Sequence, residues 1–86
     1  MSYSVQISLP AKKQLDRLDQ VTVKRLAERL KELALEPYAN RISKAVKMEP
    51  GQRTFRVGDW RIIYRVEEIK QVIKVIAVHP RGKAYR

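Results

Sequence analysis

Arg56 and Arg61 flank the dipeptide Gly58-Asp59 in the segment RTFRVGDWRIIYR, residues 53–65. Glycine at the first central position of a two-residue loop suits a type II′ hairpin turn, which needs positive φ there. The register such a turn imposes sets Val57 against Trp60 and Arg56 directly opposite Arg61. Like charges at opposed positions destabilise a sheet. Two guanidinium groups placed there imply a shared anion, and phosphate is the natural one because its oxygens match the planar fork of arginine.

The remaining chemistry-bearing residues lie around that pair. Arg81 follows the last apolar run and reads as a second phosphate contact. Tyr85 reads on its residues alone as a proton-transfer candidate, a plain tail residue or a ring for a base to stack on. A phenol near its ordinary pKa of ~10 is a poor base at neutral pH, but Lys83, Arg86 and Arg81 favour the phenolate. Imidazole ordinarily exchanges protons near neutrality, which makes His79 a second candidate base. Lys44 and Lys47 precede the hairpin and suit phosphate binding, RNA-binding if the anion is a polynucleotide, while Lys44 also reads as a solvated loop charge. Without cysteine, and with a single histidine, the chain offers neither a disulfide nor a zinc-ligand set, and no cofactor is expected.

Strand alternation sorts the hairpin into two faces. Phe55, Val57, Trp60, Ile62, Tyr64 and Val66 fall on one side, and Thr54, Arg56, Arg61, Ile63 and Arg65 on the other. Arginines are rarely buried unpaired, so the first set predicts the core and the second an open cationic face. Arg53 shares the apolar side, where its head is expected to snorkel to the rim, outside the site. Arg81 reaches the open face if Ile73, Val75, Ala77 and His79 share it.

Upstream, Val5 and Ile7 alternate with polar residues from Ser4 to Ser8, predicting a strand with one buried face. Ser8 can cap a helix starting near Leu9, with Pro10 tolerated in its first turn. Asp19 caps a second helix, about Gln20–Glu36, with Val23, Leu26, Ala27, Leu30, Leu33 and Ala34 on one stripe. Arg25–Glu28 and Arg29–Glu32 are i,i+3 pairs of an ordinary solvated face. Residues 38–52 show no regular pattern. Strands are expected at about Arg53–Val57, Trp60–Glu67 and Gln71–Val78, with Pro80 ending the last. The prediction is an α+β fold: a small antiparallel sheet, ordered β-α-α-β-β-β, with a helical hairpin packed on one face.

At 86 residues the chain is expected to form one domain, 1–86. Its 19 basic and 9 acidic residues give a net charge of +10, which points first to nucleic acid as partner. Residues 47–86 hold ten basic and four acidic side chains against nine and five in residues 1–46, so the excess leans toward the hairpin and tail. No segment reads as a signal peptide or membrane span, so a cytoplasmic location is expected.

These features resemble the RelE toxins of the RelE/ParE superfamily, from type II toxin–antitoxin systems. The resemblance runs through SLPAKKQLDRLD, the charged second helix, KAVKM, FRVGDWRIIYRV and the tail HPRGKAY. It implies the same compact α+β fold and a ribosome-dependent endoribonuclease that cuts messenger RNA by 2′-hydroxyl attack. By the same resemblance Arg61 matches the arginine at the scissile phosphate, and Arg81 and Tyr85 match the arginine and tyrosine of the tail. Lys47 sits where a basic residue precedes the hairpin, and Arg56 falls in its basic first strand. The chain departs from the best-known RelE members at Gln52 and Thr54, where those carry lysines, and at Pro80, where many relatives have histidine. The implied partner is an acidic, partly disordered RelB-like antitoxin in a hetero-oligomer. Two other readings are a ParE-like inhibitor of DNA gyrase that cuts no RNA and a plain nucleic-acid-binding module.

Overall fold

The computed structural model describes residues 2–47 and 49–80. Seven elements follow in the order β1 (Ser4–Ile7), α1 (Leu9–Leu15), α2 (Gln20–Leu35), β2 (Lys44–Ala45), β3 (Gln52–Val57), β4 (Trp60–Glu67) and β5 (Val72–Pro80). Both helices begin at the expected caps. Ser8 is extended and its Oγ accepts from the Ala11 N–H at 3.3 Å, with Pro10 in the first turn where no intrahelical N–H is needed. The Asp19 carboxylate accepts from the Thr22 N–H at 3.2 Å and from the Thr22 hydroxyl at 2.5 Å.

The five strands form one sheet in the order β1-β5-β4-β3-β2. β2 through β5 pair antiparallel, as short connections require. β1 pairs parallel with β5, a departure from a purely antiparallel sheet. A parallel neighbour needs a long crossover, and everything between β1 and β5 supplies it. β2 was hidden in the irregular stretch because two residues are too few to show alternation. β5 runs on to Pro80, which stands opposite Trp60 as its last rung.

The helices cover one face. Leu26, Leu30 and Leu33 of α2 and Ala11 of α1 meet Phe55, Val57, Ile62, Tyr64, Ile73, Val75 and Val78, with Trp60 and Val66 packed at the margin. This is the apolar side that hairpin alternation predicts. Phe55 and Tyr64 meet as tilted rings with centroids 6.0 Å apart. Two expectations fail at the edges. Val5 and Ile7 are 38% and 40% exposed, because a four-residue edge strand lies at the margin of the helical layer. Val23 and Ala27 of the α2 stripe are likewise exposed.

A bulge interrupts the β4–β5 ladder. Ile63 pairs with Ala77 and Tyr64 with Val75, leaving Ile76 without an opposite residue. The Ile76 carbonyl accepts from the Ser8 hydroxyl at 3.2 Å, and the Ser8 N–H donates to the Val75 carbonyl at 2.9 Å. The residue that caps α1 therefore also satisfies the bulge.

Candidate phosphate-binding site

The turn at Gly58-Asp59 has the geometry its sequence demands. Gly58 has φ +57°, while Asp59 is absent from the positive-φ residues, the signature of type II′. Arg56 accordingly lies opposite Arg61, and Arg61 lies opposite His79 on β5. Partners across a ladder share a face. Arg56, Arg61 and His79 thus form a transverse row across the side of the sheet that the helices leave uncovered. Arg56 and His79 are exposed and Arg61 is half-buried.

The bulge decides which part of β5 joins this row. Before it, Ile73 and Val75 pair with the buried Val66 and Tyr64 side; beyond it, Ala77 and His79 fall with Ile63 and Arg61. The condition that all four residues share the open face is therefore not met: Ala77 and His79 lie on it, Ile73 and Val75 do not. Thr54 is buried rather than open, its hydroxyl donating to the Ile62 carbonyl at 2.9 Å.

One step along the hairpin, Lys44 pairs with Thr54 and brings β2 to the same region. A cleft of about 350 Å³ opens there. Arg29, Arg41, Lys44, Arg56 and Arg61 line it, with Asn40, Ser43 and Thr54, and no carboxylate is among its lining residues. Glu32 stands outside, 3.0 Å from Arg29 and 3.6 Å from Arg41. Five cations around one opening raise the local anion concentration and present planar forks for phosphate oxygens.

Arg56, Arg61 and Lys44 are thus brought together. Lys47 is exposed beyond β2 and does not line the cleft. Arg81 and Tyr85 lie outside the described residues. Arg29 and Arg41 are additions: Arg29 is in its i,i+3 pair and also faces the cleft, and Arg41 sits in the segment without periodicity. Neither has a sequence signal: Arg29 reads as one more cation of a solvated helix face, and the place of Arg41 depends on the path of residues 36–44.

That path is fixed by Arg53 and two tyrosines. Arg53 lies opposite Tyr64 on the helical side of β3, at the rim as expected, but its head is hydrogen-bonded there through Nε and Nη2. Its Nε donates to Ser43 Oγ at 3.0 Å, and its Nη2 donates to Asn40 Oδ1 and the Ser43 carbonyl at 3.1 Å each. The guanidinium also stacks 5.6 Å from the Tyr38 ring centre. Buried Tyr64 donates to the Pro37 carbonyl at 2.6 Å. The Tyr38 hydroxyl donates to Glu68 Oε1 at 2.6 Å, and this bond, with burial adding, pushes the Tyr38 pKa up to about 12.

The sequence matches the family model of the ParE toxin of type II toxin–antitoxin systems, parDE, over residues 5–85. No curated protein matches it. Among solved structures it is similar to the archaeal RelE-RelB complex from Pyrococcus horikoshii, at 29% identity, TM-score 0.79, covering 96% of this chain and 99% of that one. It is also similar to the RelBE2 toxin-antitoxin complex of Mycobacterium tuberculosis, at 24% identity, TM-score 0.80, covering 94% and 100%. The intact E. coli RelBE toxin-antitoxin complex matches at 21% identity and TM-score 0.83, covering 92% and 96%; at these last two identities the likeness is one of fold.

Proposed function

The chain belongs to the ParE toxin family of the RelE/ParE superfamily, and from that premise we propose that this type II toxin is a ribosome-dependent endoribonuclease. The single observation that supports the reading most is the Arg56–Arg61–His79 row beside a cleft lined by cations. In the proposed reaction the 2′-hydroxyl of the substrate attacks the adjacent phosphorus. A base takes the hydroxyl proton, the P–O5′ bond breaks, and an acid returns a proton to the leaving oxygen. Arg61 holds the scissile phosphate and, with Arg56, stabilises the added negative charge at phosphorus. Arg81 is a further phosphate contact, and Tyr85 is the first candidate for proton transfer. His79, on the ladder rung of Arg61, is the alternative base. Lys44 engages the flanking backbone in the cleft, and Lys47 contributes a looser charge contact.

The partner is a RelB-like antitoxin, as RelB accompanies RelE in the P. horikoshii complex, and the net charge of +10 calls for an acidic one. We expect it to cover the cationic row and so exclude substrate. No helix among the described residues is long and apolar enough to cross a membrane.

Arg61→Ala is expected to abolish growth arrest while leaving the fold intact, with cleavage on programmed ribosomes falling by roughly 10²–10³. Full arrest by that variant sinks the assignment. The ParE family match favours one other reading, a gyrase inhibitor acting by protein contact. Mapping transcript ends after brief induction separates the two: codon-phased cuts support the nuclease, and intact transcripts with trapped gyrase complexes support the inhibitor.

A further inference from the structure

Arg53 sits on the wrong side of the sheet to touch a phosphate in the cleft, yet it controls the residues that do. Each of its hydrogen bonds among the described residues goes to a neutral oxygen of segment 38–43, the weakest at 3.5 Å to the Tyr38 carbonyl. The shortest bonds set the proton order along this contact, over a weaker alternative from the Ser43 hydroxyl to the Ala39 carbonyl at 3.5 Å. Tyr64 has one hydroxyl proton and gives it to the Pro37 carbonyl. Ser43 must then donate across the 2.7 Å contact to the Tyr64 oxygen, which leaves Ser43 Oγ to accept from Arg53 Nε. The chain runs Arg53, Ser43, Tyr64, Pro37, every donor pointing the same way, a polarity in which neighbouring bonds reinforce one another. It begins at a permanent cation and ends at the carbonyl where α2 gives way to the loop. Arg41 and Lys44, two cleft cations, lie within or next to the segment it holds.

We infer that Arg53 is a positioning residue for the cleft, holding segment 38–43 so that Arg41 and Lys44 converge with Arg56 and Arg61 on one polynucleotide backbone. This rests on the reading of the cleft as an RNA site. The geometry of the fork matters here as much as its charge. A lysine at this position keeps the charge but has one nitrogen, and cannot serve Ser43 Oγ, Asn40 Oδ1 and the Ser43 carbonyl together in the same plane.

The test is a double-mutant cycle on the purified chain with Arg53→Lys, Lys44→Ala and the combination. It is read by cleavage on programmed ribosomes, by binding of a single-stranded RNA oligonucleotide, and by thermal melting. Arg53→Lys is expected to raise KM and RNA Kd by about tenfold with kcat little changed, the pattern of lost uniform binding. In the double variant, Lys44→Ala should add less than about twofold, because its contribution is already gone. Independent, multiplying effects overturn the proposal. So does a lower melting temperature with a reduced active fraction and unchanged KM, which is plain destabilisation. Wild-type protein that binds the oligonucleotide without cutting RNA on the ribosome defeats the nuclease reading alone, and the cycle in Kd still judges Arg53. Wild-type protein that does not bind the oligonucleotide overturns both the RNA site and the role of Arg53.

Discussion

Arg56 and Arg61 set stability against use within a single rung. Opposed like charges cost a hairpin stability, and a cross-strand pair is worth ~0.2–1 kcal/mol. Arg56→Thr is therefore expected to raise the denaturation midpoint slightly while lowering RNA cleavage, measured by urea melts alongside ribosome assays. Loss of both stability and cleavage counts against the reading of the rung as a functional strain. Tyr38 gives a second test. Its folded pKa is raised above the ordinary 10 to about 12 by the bond to Glu68. A raised folded pKa means that the contribution is complete below pH 10 and disappears as pH climbs through about 12. Stability should decline across that window, and in Tyr38→Phe the decline should be shallower. Both arginines of the rung were legible in the sequence, because a two-residue turn fixes register and strand parity fixes face. Arg41 and the role of Arg53 were not, since they depend on where an aperiodic loop runs and on which oxygens it presents.

Caps and turns were the most readable elements, because each depends on a few neighbouring residues. Ser8, Asp19 and Gly58 all act where local chemistry places them. Pairing between distant segments was less readable: β2 is too short to show a period, and the parallel β1–β5 contact and the Ile76 bulge depend on tertiary packing. Ser8 joins the two classes, as cap of α1 and donor to the bulge carbonyl. Ser8→Ala is expected to cost about 1 kcal/mol or somewhat more, since caps alone contribute ~0.5–2 kcal/mol and a partly buried carbonyl also loses its donor. Urea denaturation measures the cost. Amide exchange should show faster opening around residues 75–77 than in the rest of β5, and uniform protection there would argue that the bulge is held by other contacts.

At the level of the whole molecule, a net charge of +10 on 86 residues gives a long-range pull on polyanions. Association with an acidic antitoxin or with RNA should slow steeply as salt rises past physiological strength, where the screening length is ~8 Å. Stopped-flow mixing at several ionic strengths checks this, and a flat profile would mean that contact chemistry rather than the field controls encounter. The field alone has no aim, however; aim comes from which side of the sheet each basic group occupies. On that count the extra residue at Ile76 works like a half-twist in a ribbon. Upstream of it β5 offers its odd-numbered side chains to the helices, and downstream it offers its even-numbered ones. Were Ile76 instead paired with Ile63 in an unbroken ladder, Val78 would stand opposite Arg61 and His79 would turn inward toward the greasy layer. One unpaired residue, away from the hairpin arginines, thus decides whether the histidine belongs to the row at all.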